Sequence, residues 1–149
     1  MSDWDVNLKP LNLLNRAARL VSRIGESRLR ALSLGVGQVP VLAALKDGAA
    51  LSQKALTDIA VIEQPSMAQL LARMERDGLV GRQSDPKDGR VSLFSLTPLA
   101  LGRLPEARAI LAQANAAALE GLSDEERMVL IALLQRVVDN VEALRVAPP

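Results

Sequence analysis

The sequence predicts a mainly α-helical protein that carries one small β-hairpin and has long helices towards both ends. Alanine and leucine are its most frequent residues, and both favour helices over sheets. Apolar residues recur at three- and four-residue steps over most of the chain, which indicates amphipathic helices. Residues 79–96 instead combine β-branched and aromatic residues with Asp-Pro and Asp-Gly turn pairs, the pattern of a hairpin.

The composition limits the chain to a few functional classes. Its 149 residues, 1–149, fit one domain of ordinary size. Of these residues 49% are apolar, enough to bury a continuous core. The absence of cysteine and histidine excludes disulfides, thiol or histidine sensors and the commonest general base. No nucleophile stands beside a base in a glycine-shaped turn, so the sequence predicts neither an enzyme nor a cofactor or metal site. No apolar run could span a bilayer and no leader pattern opens the chain, so we expect a soluble, cytoplasmic protein.

The first predicted helix covers residues 8–32 and is amphipathic, because its apolar residues follow helical spacing. It is also basic, since Glu26 is its single acid. Such cations form either a solvated face or a flank that lies near phosphate or an anionic ligand. The basic residues are Lys9, Arg16, Arg19, Arg23, Arg28 and Arg30.

Two shorter helices follow a glycine-containing break. The second helix is predicted from Val39 to near Gly48, with Pro40 tolerated in its first turn. Ser52 is a natural N-cap for a third, brief helix over residues 53–60. Because Ser52 precedes an apolar-periodic run, a capping role is favoured over that of a nucleophile.

The fourth helix is predicted over residues 65–77, with Pro65 at its first position and Gly78 as its C-cap. Two short helices joined by a tight turn form a helix-turn-helix, whose second helix enters the major groove of DNA. Glutamine can pair bidentately with adenine and arginine with guanine, although spacing alone fits an ordinary polar face equally well. The inward set is Met67, Leu70, Leu71 and Met74, and the outward set is Gln64, Ser66, Gln69 and Arg73.

Residues 79–96 are predicted to form a wing, a hairpin around the loop 85–90. Asp-Pro and Asp-Gly explain the acids of this loop as turn formers, with an added role in orienting Arg90. A basic loop directly after a recognition helix can reach the neighbouring minor groove with Lys87 or Arg90. Residues 36–98 therefore read as a winged helix-turn-helix lobe.

The C-terminal part, residues 99–146, is predicted to form two further helices. Thr97-Pro98 begins the fifth, and Ser123 with Glu126 makes a capping box for the sixth. Apolar residues of the sixth helix alternate at four and three, as in a coiled-coil seam, so helices 8–32 and 99–146 are expected to form a dimer. The dimerisation residues are Leu11, Leu14, Leu130, Leu134, Val137 and Val141.

Two motifs resemble the MarR family of transcriptional regulators, nearest its SlyA-type members. The first is Ile62-Glu63-Gln64-Pro65-Ser66 followed by Asp77-Gly78-Leu79-Val80-Gly81-Arg82, and the second is Asp85-Pro86-Lys87-Asp88-Gly89-Arg90 with Leu96-Thr97 after it. The resemblance implies a homodimer that places two recognition helices in successive major grooves of a pseudo-palindromic operator. It implies repression until a small molecule loosens the protein from double-stranded DNA.

The resemblance and the helix-turn-helix geometry together assign one set of residues to DNA. These are Ser52, Gln53, Gln64, Pro65, Ser66, Gln69, Arg73, Arg82, Asp85, Lys87, Asp88 and Arg90. The effector-binding residues are unknown. A small organic anion or an apolar compound in the cleft between the dimerisation helices and the lobe is expected, with Arg16, Arg19 or Arg23 as anchors.

Three positions depart from the family pattern. Lys87 stands where arginine is common, which keeps the charge but loses the planar fork. Ala100 replaces the glycine that usually follows Leu-Thr. Val61 stands where many members have a turn glycine, so we expect the turn to avoid a left-handed backbone there.

The alternative function is a winged-helix module that pairs with protein and not with DNA. A net charge of only +1 allows it. It predicts an outward face on the fourth helix without arginine, and both Arg73 and Arg76 count against it.

Overall fold

The computed structural model describes residues 9–146, so Leu8, the predicted start of the first helix, lies outside the described residues. The described residues divide into two compact units, residues 9–114 and residues 115–146. The elements in chain order are α1 (Pro10–Leu29), α2 (Val39–Leu45), β1 (Leu51–Ser52), α3 (Gln53–Ala60), α4 (Gln64–Arg76), β2 (Val80–Ser84), β3 (Ser92–Leu96), α5 (Pro98–Ala118) and α6 (Asp124–Val146). The predicted fold class, mainly helical with a small winged hairpin, is confirmed.

The predicted helix boundaries hold to within a few residues. The third helix has the predicted bounds, and the fourth is shifted by one residue because Gln64, and not Pro65, is its first helical position. The first helix ends as an α-helix at Leu29 and continues as a 3₁₀ turn over Arg30–Leu32. A second 3₁₀ turn, Val36–Gln38, fills part of the predicted break.

The small sheet has one strand more than predicted. β2 and β3 form the antiparallel hairpin, and β1 joins the other side of β3, so the order is β1-β3-β2. Leu51 of β1 pairs with Phe94 of β3. Strand β1 has two residues, too few to show the alternation from which strands are predicted. Strand β1 therefore connects the start of α3 to the hairpin.

The core of the first unit lies between the helices and the buried side of this sheet. Burial of these apolar side chains supplies the main favourable free energy of folding. The largest fully buried side chains are Leu29, Val41, Leu45, Leu56, Met67, Leu71, Met74 and Leu79.

Helix α1 is fixed to the segment before α2 by a close backbone approach. Gly25 is buried, and a Cβ at this position would lie 3.0 Å from Val36 Cγ2. The Glu26 carboxylate accepts a hydrogen bond of 2.8 Å from the Val36 main-chain nitrogen. Glycine at position 25 therefore allows a contact that Glu26, the one acid of this basic helix, completes.

The expectation for Val61 is wrong. This residue has φ 53° and ψ 46°, a left-handed backbone, and it ends α3 at the turn into α4. The left-handed geometry lets the Val61 main-chain nitrogen bond Thr57 O, and Ile62 N also donates to Thr57 O. The turn keeps the geometry that a glycine would adopt freely, although valine is β-branched and disfavours it.

The second unit, as far as it is described, consists of residues 115–146 and contains the last residues of α5 and all of α6. The predicted capping box is confirmed: Ser123 N donates to the Glu126 carboxylate at 2.8 Å, and Glu126 N donates to Ser123 Oγ at 3.1 Å. Between residues 9 and 146, no helix is both long and apolar enough to cross a membrane.

Candidate nucleic-acid interface

Helix α4 has one buried apolar face and one exposed polar face. The four residues predicted to point inward are buried, and they anchor the helix on the core. The five candidate residues on the other face, Gln64, Pro65, Ser66, Gln69 and Arg73, are exposed. The helix can therefore be held by one side while the other contacts a partner.

The beginning of α4 is positioned from α3. Ser52 caps α3, since its Oγ accepts a hydrogen bond of 3.2 Å from Ala55 N. The next residue, Gln53, donates through Nε2 to Gln64 Oε1 at 2.9 Å. The cap predicted at Ser52 is confirmed, and Gln53 is half-buried where it links the first residues of the two helices.

The end of α4 is closed by Gly78, as predicted. Gly78 has φ 72°, and Leu79 N donates to Met74 O at 2.8 Å, the hydrogen bond of a glycine-closed helix end. The Thr97 hydroxyl donates to Gly78 O and accepts from Ala100 N at 3.3 Å, so it also caps α5. Helix α4, the hairpin and the start of α5 therefore meet at one hydrogen-bonded junction.

The wing loop is shaped by its two aspartates. Asp85 Oδ1 accepts from Lys87 N at 2.8 Å, and Asp88 Oδ1 accepts from Arg90 N at 3.1 Å and from Arg90 Nε at 3.2 Å. The side-chain and main-chain hydrogen bonds from Arg90 lower the pKa of Asp88. The Arg90 side chain is 92% exposed, so the turn presents this guanidinium to solvent.

Arg82 connects the hairpin to α4. Its Nη2 lies 2.8 Å from Glu75 Oε2, and its guanidinium carbon lies 5.0 Å from the centre of the Phe94 ring, within cation–π range. Arg82 was predicted from the sequence, whereas Glu75, an exposed residue of α4, was not. We call this arrangement the Arg82 bridge.

The charge exposed on this side comes from a few side chains. Arg76 pairs with Asp77 at 3.0 Å, and this hydrogen bond and the aspartate charge raise the pKa of Arg76. Arg73 forms no ion pair with any residue between 9 and 146. Among the described cations of α4 and the wing, Arg73 and Lys87 are therefore the two whose side chains form no ion pair.

A separate pocket of about 170 Å³ opens among α1, α2 and α5. Its walls are apolar except for Lys46 and Arg108. These two cations were not predicted, although each lies one helical turn after an inward leucine, Leu42 and Leu104 respectively. The three α1 arginines predicted as anchors do not line the pocket. The remaining lining residues are Leu29, Val39, Leu42, Ala43, Leu104, Ala107 and Leu111.

Comparison with known proteins shows a similarity to one family. The MarR family model matches residues 32–91, which include the helix-turn-helix and the wing loop. BpsR of Bordetella bronchiseptica is 26% identical, covers 89% of this chain and 95% of its own, and superposes with a TM-score of 0.81. Over residues 32–91 the chain is similar to the MarR family. Two more solved structures have a similar fold: an Escherichia coli MarR mutant with operator DNA, 22% identical, and SlyA, 24% identical.

These two structures share the fold over nearly the whole chain. For the Escherichia coli MarR mutant the match covers 91% of this chain and 99% of that one, with a TM-score of 0.82. For SlyA it covers 88% of this chain and 92% of that one, with a TM-score of 0.83. The MarR family prediction is confirmed, whereas a closer relation to SlyA stays a prediction.

The MarR fold brings most of the predicted DNA residues into one unit, on α3, α4 and the wing. Two of them already make contacts within the protein: Ser52 caps α3, and Arg82 forms the Arg82 bridge. Asp85 and Asp88 shape the wing turn and hold Arg90. The contact of each of the twelve residues with DNA stays a prediction.

Proposed function

We propose that the chain is a sequence-specific, ligand-responsive transcriptional regulator that represses by binding double-stranded DNA in the cytoplasm. One observation supports the proposal most strongly: α4 has an exposed polar face, and the hairpin that follows α4 in the chain exposes Arg90. Recognition helices read base edges in the major groove, and arginine is drawn to a narrow minor groove. The relative solved with operator DNA has the same fold.

The proposed role is binding and not catalysis. The family is one of regulators, and the exposed residues of α4 are glutamine, serine and arginine, which form hydrogen bonds with base edges. A winged-helix module that binds protein is the alternative. Arg73, exposed and without an ion pair among the described residues, favours DNA over that alternative.

We expect two copies of the chain to act together. In the single chain, α1 exposes Leu11 and Leu14, and α6 exposes Val141 and Leu144, more apolar surface than an isolated chain leaves in water. A two-fold dimer presents two α4 helices, so its operator has half-sites roughly 34–36 Å apart. The proposed dimer therefore explains both the apolar surface and a pseudo-palindromic target.

The test is selection of bound duplexes from a randomised pool. The wild-type chain should enrich a pseudo-palindrome, and the double variant Gln69→Ala/Arg73→Ala should lose that sequence preference. A matched control is Gln135→Ala/Arg136→Ala, which removes the same residue types from exposed positions of α6. Failure of the wild-type chain to enrich any sequence would overturn the proposed function.

The ligand we propose is a single-ring organic acid bound in the pocket among α1, α2 and α5. An apolar cavity of about 150 Å³ accommodates benzene, so 170 Å³ suits one ring. Lys46 and Arg108 supply the positive charge that a carboxylate needs. In BpsR, which has the same fold, 6-hydroxynicotinic acid regulates DNA binding.

Calorimetric titration with benzoate and with benzyl alcohol tests this ligand class. Benzoate should bind more tightly, and Arg108→Ala should weaken it about tenfold, since a charge-assisted hydrogen bond contributes about 1.5 kcal/mol or more. Arg16→Ala is the control, because Arg16 does not line the pocket. Equal binding of acid and alcohol would show that the two cations do not select the ligand.

A further inference from the structure

Two glutamine side chains at the start of α3 and α4 form a specific pair. Gln53 Nε2 donates to Gln64 Oε1 at 2.9 Å and approaches the main-chain oxygen of Gln64 at 3.4 Å. Gln53 is the first residue of α3, and Gln64 is the first residue of α4. The pair therefore joins the two helices at the end of α4 from which recognition helices contact bases.

The contacts fix which way each amide faces. A main-chain carbonyl can only accept a hydrogen bond, so the Gln53 atom that faces Gln64 O is the amide nitrogen. The Gln64 atom that accepts from the same nitrogen is consequently its carbonyl oxygen. With this oxygen directed towards Gln53, the Gln64 side chain, which is exposed, presents its NH₂ group outward.

This orientation changes what Gln64 can recognise. A free glutamine pairs with adenine by accepting from N6 and donating to N7, which requires both amide atoms to face the base. Gln53 occupies one lone pair of this oxygen and directs the oxygen towards α3, so the group that Gln64 turns outward is its NH₂ donor. Guanine offers the neighbouring acceptors N7 and O6 to such a group, and thymine offers O4, whereas adenine places its amino donor beside N7, where it faces the donors of Gln64.

We propose that Gln53 is a positioning residue for specificity, which makes Gln64 a donor-only reader of guanine or thymine in the operator. The inference rests on the proposed function, because it concerns which base the α4 of a DNA-bound chain accepts. It also replaces the adenine pairing that glutamine at this position suggests from sequence alone. Gln53 itself need not contact DNA for this effect.

Two substitutions of Gln53 should change the pair in different ways. Gln53→Glu removes the donor and supplies an acceptor, so the Gln64 amide should invert and present its oxygen. The base facing Gln64 should then change from guanine or thymine to adenine or cytosine, which carry amino donors. Gln53→Leu removes the pair without a replacement, and adenine should become acceptable beside guanine and thymine.

The experiment is duplex selection with the wild-type chain, Gln64→Ala and both Gln53 variants, followed by titration of single-base-changed duplexes. Gln64→Ala identifies the operator position at which preference is lost. At that position the wild type should favour guanine or thymine about tenfold, and Gln53→Glu should reverse the preference. Preferences at the other positions should stay unchanged, which a merely unfolded variant would not show.

The outcomes separate this inference from the proposed function. If the wild type enriches an operator but both Gln53 variants keep its base preference at the Gln64 position, the inference is wrong and the proposed function stands. The inference also fails if Gln64→Ala alters no position. If the wild type enriches no sequence, both fail together.

Discussion

At the scale of single residues, Val61 holds the most demanding backbone conformation of the helix-turn-helix. Valine is β-branched and disfavours this left-handed φ of 53°. Because Val61 is also 53% exposed, the packing of its side chain offsets little of the backbone strain. A left-handed backbone costs an ordinary residue roughly 1–2 kcal/mol. The hydrogen bonds that the turn makes to Thr57 O hold it in place.

We expect Val61→Gly to stabilise the protein. Glycine removes the strain but adds roughly 0.5–1 kcal/mol of chain entropy in the unfolded state, so the net gain is small and positive. A gain of about 1 kcal/mol corresponds to a rise in Tm of roughly 2–4 °C for a chain of this size. Thermal unfolding followed by circular dichroism measures it.

The control for Val61→Gly is Ala72→Gly. Ala72 is exposed in the interior of α4, where the backbone is right-handed, so glycine should lower the stability by about 1 kcal/mol. A fall in Tm for both variants would mean that Val61 is not strained.

At the scale of elements, the Arg82 bridge couples the hairpin to α4. The Arg82 and Glu75 side chains are both partly exposed, so their ion pair contributes about 1 kcal/mol or less. The contact with the Phe94 ring adds to it and holds the guanidinium over β3. The bridge thus limits how far the wing can move relative to the helix.

Glu75→Ala should loosen the hairpin without unfolding the protein. Amides of β2 and β3 should exchange with deuterium about fivefold faster, the equivalent of about 1 kcal/mol. Asp58→Ala is the matched control, since it breaks the Lys54–Asp58 pair, whose side chains are 79% and 65% exposed. Unchanged exchange in Glu75→Ala would show that the sheet alone holds the wing.

The elements that the sequence predicts well are those defined by neighbouring residues. The caps at Ser52 and Ser123 and the helix end at Gly78 depend on side chains or backbone within three to five residues. Strand β1 was missed because it exists only through pairing with β3, about forty residues later. The cations of the ligand pocket were missed for the same reason, since α2 and α5 meet only in the folded chain.

Within the candidate DNA site, the polar face of α4 and the turn at Asp88 follow from periodicity and turn chemistry. The Gln53–Gln64 pair could not be predicted in this way, because it joins residues eleven positions apart across a turn. The left-handed Val61 also escaped prediction, since the turn geometry outweighs the preference of valine. Sequence therefore predicted which residues form the site better than how they are held.

At the scale of the whole molecule, the exposed apolar residues of α6 predict a dimer. Val141→Glu places a charge in the proposed interface and should convert a two-chain species to a single chain in sedimentation at micromolar concentration. Asn140→Glu, at the neighbouring exposed polar position, should leave the dimer intact. A wild-type chain that sediments as a monomer would rule the dimer out.

The most direct test of the central claim, that α4 and the wing bind DNA by different means, is a titration of the selected operator at several salt concentrations. Arg90→Ala should weaken binding to every duplex alike and make the salt slope shallower by roughly one. Arg73→Ala should cost about 1–3 kcal/mol on the operator and much less on a duplex already changed at the contacted base. Equal losses on all duplexes for Arg73→Ala would contradict base reading by this face of α4.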